Sequence, residues 1–302
     1  MSENSENLAL VIGGGGAAGN AGAIGIVAGL AEAGVDLTEL ADLVIGTSSG
    51  ATAAVHVRSG IPPAELYAAV VSAPAGGGRP QQGLSGLEPV LDRLREIGAA
   101  ATTAAGMRQA LGAYGLERDA AFGPEVIEKR RALVASRLPS PEWPERPMII
   151  VTVEAHTGEV ALLDRASGIA LVDAVTASTA MPGLGPTHPV NGRNYVNGGV
   201  RSGDNADLAS GYANVVVLSP FGGWADAPVP PGQFEGLRKM PGMDVKSQVA
   251  ALREQGSRVE LLIPDPDSRA AMGIDQTDPA TRIPSARAGF EQGKREAARL
   301  TA

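Results

Sequence analysis

One serine and one run of glycines are the residues of this chain best suited to catalysis. The stretch "DLVIGTSSGATAA" places Gly46-x-Ser48-x-Gly50 between a short apolar run and a segment of small residues that predicts a helix. In a nucleophile elbow the serine lies on a strained turn from strand to helix, and small neighbours leave room for it. The spacing therefore predicts an acyl-transfer nucleophile at Ser48. The adjacent Ser49 would face the helix and is the weaker candidate.

The glycine run follows the first apolar segment, in "LALVIGGGGAAG", and it allows several interpretations. Gly14, Gly16 and Gly19 form G-x-G-x-x-G between a predicted strand and a predicted helix, a pattern typical of dinucleotide binding. That site also needs an acidic residue at the end of the second strand, whereas Asp36 precedes the second apolar run. Alternatively, consecutive backbone N–H groups at a helix N-terminus stabilise an oxyanion in acyl transfer. A close turn without any ligand is the third interpretation.

The pattern along the chain predicts an α/β fold with a mainly parallel central sheet, because short apolar runs alternate with helical segments. In such sheets ligands bind at the carboxyl ends of the strands, so Ser48 and the glycine run should face one crevice. Only helical patterns occur from about residue 84 to 140, which predicts a helical insertion or cap. A Gly/Pro-rich loop is expected at residues 73–83. We expect a single domain over residues 1–302.

Composition and charge argue against several other functions. The chain has no cysteine, three scattered histidines, 3% aromatic residues and a net charge of −8. We therefore expect no disulfide, metal or other cofactor, and no nucleic-acid partner. No apolar run reaches the roughly 18 residues of a membrane span, and no signal-peptide pattern is visible, so a cytoplasmic location is expected. Peripheral membrane contact stays open, although Trp143 and Trp224 are expected to be surface packing residues.

Together these residues resemble the patatin-like phospholipase family. "GGGGAAG" resembles its oxyanion loop, "GTSSG" its nucleophile motif, and "NGG" at residues 197–199 stands where its D-G-G/A motif belongs. The resemblance runs from about residue 8 to 220 and implies a three-layer α/β sandwich. It also implies a Ser–Asp dyad that hydrolyses acyl esters of lipids through an acyl-serine. By position, the implied site consists of the nucleophile Ser48, the dyad residue Asn197, the oxyanion-hole amides of Gly14, Gly15 and Gly16, and the supporting glycines Gly46, Gly50, Gly198 and Gly199.

Asn197 departs from the family's motif at the residue that should accept the serine proton, and a carboxamide is not basic at neutral pH. Three explanations stay open. In the first, an original Asp was replaced by Asn to trap a substrate or acyl complex. In the second, Asn is natural, and Asp204 or His188 is the substitute base. In the third, the site binds an acyl ligand without turnover. An acyltransferase would share the acyl-serine but use an acceptor other than water. Because loss of the carboxylate from a serine triad costs about 10⁴ in rate, we expect a geometrically competent site with impaired proton transfer.

Overall fold

A computed structural model of the chain describes residues 7–73, 88–222 and 240–301. Nearly all of the Gly/Pro-rich loop predicted at residues 73–83, and Trp224, lie outside these ranges. The strands are β1 (Leu8–Ile12), β2 (Leu43–Thr47), β3 (Met148–Glu154), β4 (Val160–Leu163), β5 (His188–Val190), β6 (Arg193–Asn197), β7 (Asn214–Leu218) and β8 (Arg258–Leu262). The α-helices are α1 (Gly16–Glu32), α2 (Leu37–Leu40), α3 (Ser49–Val57), α4 (Pro63–Val71), α5 (Glu88–Ala100), α6 (Ala104–Asp119), α7 (Pro124–Ala135), α8 (Leu171–Ser178), α9 (Val245–Glu254), α10 (Pro266–Met272) and α11 (Arg282–Thr301).

The eight strands form one mixed sheet in the order β5-β6-β3-β2-β1-β7-β8, with β4 paired to β3 outside this path. Strands β3, β2, β1, β7 and β8 pair in parallel, whereas β4, β5 and β6 are antiparallel to their neighbours. Strand β2 is buried along its whole length, as expected for an apolar run covered on both faces. The predicted α/β fold with a mainly parallel sheet is confirmed.

Helices cover both faces of this sheet. Leu10 and Ile12 of β1 pack with residues of α1, α3 and α8, whereas Ala9 and Val11 of the same strand pack with α9 on the other face. Alternate side chains of one strand therefore reach two separate cores, which makes the fold a three-layer sandwich. Within the described ranges, no helix is long and apolar enough to cross a membrane.

The segment predicted as a helical insertion contains α5, α6 and α7, with no strand among its described residues. Leu94 of α5 and Leu111 of α6 form a small core with Val153 of β3 and Val196 of β6. The insertion therefore covers the part of the sheet where β6 pairs with β3. Trp143, in the connector that returns to β3, packs on the main core, and its ring N–H donates to the Ile169 carbonyl at 2.8 Å.

The register of β3 brings the ends of β2 and β6 together. Val151 and Thr152 of β3 both pair with β4, but Val151 also pairs with Thr47 of β2 and Thr152 with Asn197 of β6. A strand residue has one neighbour on each side. Strands β2 and β6 must therefore lie end to end along the edge of β3 opposite β4. The turn that follows Thr47 consequently lies beside Asn197.

Candidate active site

Ser48 lies on a strained turn between β2 and α3, with φ 57° and ψ −124°. Few residues other than glycine adopt a positive φ, and such strain is concentrated at functional sites. The turn is held by Ser178 at the end of α8. The Ser48 N–H donates to Ser178 Oγ at 2.8 Å, and the Ser178 hydroxyl donates to the Val151 carbonyl at 2.7 Å. The local geometry is thus that of a nucleophile elbow.

The two glycines of the elbow motif permit close contact between backbones. A Cβ atom on Gly50 would overlap the carbonyl oxygens of Ile12 and Gly13, and one on Gly46 would lie 2.6 Å from the Ala51 Cα. Both glycines are therefore required by packing. Through Gly50, helix α3 lies directly on the end of β1, where the glycine run begins.

The glycine run and the elbow meet across the ends of β1 and β2. A Cβ atom on Gly14 would lie 3.2 Å from the Ser48 Cβ, so this glycine faces the serine side chain. The Gly15 N–H donates to Ser49 Oγ at 2.8 Å. The sequence predicted that these two loops face one crevice, and the structure places them in direct contact.

The amides of the glycine run are not equally available. The Gly14 N–H donates to the Gly203 carbonyl at 2.9 Å, and the Gly15 N–H donates to Ser49 Oγ. The amides of Gly16 and Ala17, which begin α1, make no hydrogen bond with other described residues. They lie at the positive end of a 17-residue helix. That Gly14, Gly15 and Gly16 form the oxyanion hole stays a prediction, and of these three amides only that of Gly16 makes no hydrogen bond within the described ranges.

Asn197 contacts the elbow serine directly. Its Nδ2 donates to Ser48 Oγ at 3.0 Å, and its Oδ1 accepts the Gly199 N–H at 2.7 Å. The Gly199 amide can only donate, so it holds the carboxamide oxygen and turns the NH₂ group towards Ser48. The serine oxygen therefore receives a hydrogen bond from residue 197 instead of giving its proton to it. A carboxylate in the same place could accept from both groups.

The chain after β6 is held close to the sheet and to β2. A Cβ atom on Gly198 would overlap the Val151 carbonyl oxygen. Asn205 is fully buried, and its backbone adopts the left-handed conformation at φ 57°. Its Nδ2 donates to Thr47 Oγ1 at 3.0 Å, and its Oδ1 accepts from Arg201 Nη1 at 2.6 Å. The sequence did not identify Asn205 as part of the site; the only local signal was an Asn in a Gly/Asp-rich turn.

The structure brings one of the two candidate substitute bases to the cavity that contains Ser48. Asp204 is buried, lines that cavity, and its carboxylate lies against the Cα of Gly13. His188 is buried in β5, with Nε2 3.0 Å from Asp173 Oδ1, and is absent from the described part of the cavity wall. Burial lowers the pKa of His188, and the opposing effect of Asp173 is smaller. His188 is not placed to take a proton from Ser48.

An open cavity of about 1580 Å³ lies over these residues. Ser48, Asn197 and the first residues of α1 form its polar floor, and Met107 and Leu111 of the insertion contribute apolar wall. This volume exceeds the roughly 300–1,000 Å³ of common small-molecule pockets and leaves room for an acyl chain. In the part of the chain that the structure describes, no three His, Asp or Glu residues are grouped as metal ligands.

Comparison with known proteins identifies one family. The family model described as patatin-like phospholipase matches residues 10–210. The match includes the glycine run, the elbow and the "NGG" segment, and it covers about two thirds of the chain. No curated protein matches the chain.

Proposed function

This chain belongs to the patatin-like phospholipase family, a family of lipid acyl hydrolases, and we propose that Ser48 is the nucleophile with which it takes up an acyl group. The observation that carries the proposal is the strained elbow at Ser48, whose Oγ accepts a hydrogen bond from Asn197. Gly16 and Ala17, whose amides make no hydrogen bond within the described ranges, line the same cavity. The substrate class is an acyl ester of a lipid, since apolar side chains line the cavity above the serine.

In the proposed reaction, Ser48 Oγ attacks the ester carbonyl carbon while its hydroxyl proton passes through a water molecule to the carboxylate of Asp204, which later returns it to the leaving alcohol. The carbonyl electron pair moves to the oxygen, and the Gly16 and Ala17 amides stabilise this oxyanion at the positive end of α1. Collapse of the tetrahedral intermediate breaks the bond to the alcohol, which takes up a proton and departs. Ser48 is left acylated, and a water molecule then releases the carboxylic acid.

Proton transfer is the impaired step. Because the Asn197 NH₂ group donates to Ser48 Oγ, residue 197 cannot accept the hydroxyl proton. We propose Asp204 as the substitute base, acting through water, because it is a buried carboxylate on the same cavity wall. Turnover is then slow relative to a chain with Asp at position 197, since a base that acts through water is less well placed than one in contact.

The test is covalent labelling of Ser48. The chain is incubated with a fluorophosphonate and, separately, with p-nitrophenyl octanoate, and its intact mass and peptide map are measured. We expect one adduct per chain on Ser48, no adduct in Ser48→Ala, and an unchanged adduct in Ser210→Ala, whose exposed hydroxyl bonds Gln255. An adduct on another residue, or none in either the chain with Asn197 or Asn197→Asp, would refute the assignment.

The orientation of Asn197 also supports a second function, acyl binding without turnover. A site that donates a hydrogen bond to Ser48 Oγ and lacks a contacting base can hold an acyl group without exchanging it. This alternative expects a fatty acid to raise the melting temperature of the chain, with no adduct on Ser48 from either reagent. A cytoplasmic location, peripheral contact with a membrane and a single domain over residues 1–302 stay predictions from the sequence.

A further inference from the structure

Two arginines on the wall of the same cavity lack an acidic partner among the described residues. Arg137 follows the end of α7, and Arg282 is the first residue of α11. Arg282 donates from Nη1 to Asn20 Oδ1 at 3.0 Å, whereas the Arg137 side chain has no hydrogen bond or ion pair within the described ranges. Asn20 in turn donates to the Ser49 carbonyl at 3.2 Å, so one carboxamide separates Arg282 from the elbow.

The other charged groups of this wall do not neutralise the two arginines. Arg130, also positive, donates hydrogen bonds to the carbonyls of Thr179 and Pro186. Among the carboxylates, Asp244 accepts from Ser247 as the N-cap of α9, and Asp275 accepts from Thr277. Asp204 lies against the glycine run. The remaining acidic residue of the described wall, Glu65, forms no ion pair with either arginine.

Positive side chains lie close enough together in this region to affect one another's pKa values. Burial lowers the pKa of Arg282, and the charge of Arg137 lowers it further. Arg137 is exposed as a whole residue, and the partial burial of its guanidinium lowers its pKa. His56 lines the same wall, and the charge of Arg282 adds to the effect of burial in lowering its pKa. No described carboxylate opposes these shifts for either arginine. An anion at this place would therefore relieve a repulsion and gain two charge-assisted donors.

We propose that Arg137 and Arg282 form a phosphate-binding subsite, which binds the phosphate group of the ester substrate. The planar guanidinium group offers paired N–H donors that match a phosphate. Arg282 hydrogen-bonds Asn20, and Asn20 hydrogen-bonds the carbonyl of Ser49, the residue next to Ser48. A substrate would thus extend from its ester at Ser48 to its phosphate at the two arginines. The role in substrate choice rests on the proposed function of Ser48, whereas anion binding itself does not.

Binding is tested by titrating the full chain with octyl phosphate, octanol and inorganic phosphate in a calorimeter. We expect octyl phosphate to bind at least tenfold more tightly than octanol. Arg137→Gln and Arg282→Gln should each weaken octyl phosphate binding at least tenfold. Matched controls on the same helices are Lys129→Gln in α7 and Arg287→Gln in α11, both exposed and off the cavity wall; each should change binding less than twofold.

The outcomes separate the sources of the anion and the two proposals. Inorganic phosphate that binds as tightly as octyl phosphate and competes with it would refute a lipid phosphate as the ligand. Equal binding of octyl phosphate and octanol, or equal loss in the control variants, would refute the subsite. Arg282→Lys, which keeps the charge, should lose less binding than Arg282→Gln; melting temperatures show whether each variant is folded. If octyl phosphate binds as expected but neither the fluorophosphonate nor p-nitrophenyl octanoate forms an adduct on Ser48, the assignment of Ser48 as the nucleophile is refuted and the subsite still stands.

Discussion

Replacing Asn197 with Asp should convert the hydrogen bond at Ser48 from a donated to an accepted one. Asn and Asp have the same shape, so one carboxylate oxygen keeps the Gly199 N–H, now 2.7 Å from Asn197 Oδ1. The other oxygen takes the place of Nδ2, 3.0 Å from Ser48 Oγ. The backbone of residue 197 need not move, because its N–H donates to the Ala180 carbonyl at 2.8 Å whatever the side chain.

The size of the effect follows from what the carboxylate adds. A general base in contact with its proton contributes about 10²–10⁴ in rate, and loss of the triad carboxylate costs about 10⁴. Asn197→Asp should therefore raise kcat by about 10²–10⁴, or about 3–5 kcal/mol of barrier. Residue 197 is only 2% exposed. Burial of the new charge opposes its ionisation, while the Gly199 N–H and the N-terminus of α3 favour it.

The assay is hydrolysis of p-nitrophenyl octanoate by the chain with Asn197, by Asn197→Asp and by Asn197→Ala, each with and without Ser48→Ala. The Asp variant should gain a limb on the acid side of its kcat profile, where its carboxylate becomes protonated, and Ser48→Ala should abolish the gain. Asn197→Ala removes the donor without adding a base and should not raise kcat. A folded Asp variant that is labelled by a fluorophosphonate yet shows no gain in kcat would refute the reasoning.

Three further predictions concern the structure around the site. Ser178→Ala leaves the partly buried N–H of Ser48 without its partner, so the free energy of unfolding should fall by about 1–3 kcal/mol and fluorophosphonate labelling should slow. Unchanged urea midpoints and labelling rates would contradict this. Gly25→Ala puts a Cβ atom in overlap with the Ala286 carbonyl oxygen of α11 and should cost about 3 kcal/mol in urea unfolding. Gly22→Ala, whose nearest neighbour is at 3.8 Å, should cost nothing, and equal losses would contradict the packing. Burial lowers the pKa of His188, so the unfolded chain binds more protons and stability should fall as pH drops below about 6.5. His188→Gln should reduce this slope of unfolding free energy against pH, and an unchanged slope would count against the prediction.

Features of the fold that depend on local chemistry could be predicted from the sequence. An apolar run that ends at glycine predicted β1 and β2, because a buried parallel strand has no polar alternation to preserve. The elbow at Ser48 was predicted from small residues two positions away on each side, which act on the same turn. The contact between the glycine run and the elbow followed from the rule that parallel strands end at one edge.

Features that depend on distant pairing could not be predicted. Ser178, which holds the elbow, lies 130 residues from Ser48 in the chain, and nothing in its local sequence indicates that contact. The engagement of the Gly14 amide depends on the position of Gly203, which only the packed structure gives. His188 was considered because it is near Asn197 in the sequence. In the β5–β6 hairpin it pairs with Tyr195 and hydrogen-bonds Asp173, away from the serine.

The choice of Asn or Asp at position 197 therefore changes the chemistry of the site and leaves its structure unchanged. Asp and Asn both satisfy the Gly199 N–H, and the close approach of Gly198 to Val151 holds the strand end in either case. Removing the base affects the two half-reactions unequally. A nitrophenyl ester has a good leaving group and needs little help in acylating Ser48, whereas hydrolysis of the acyl-serine requires an activated water. The chain with Asn197 should consequently release one equivalent of nitrophenolate in a burst and then turn over slowly. Asn197→Asp should raise the slow phase more than the burst rate. A linear time course from the chain with Asn197, with no acyl group on Ser48, would show that acylation itself had failed.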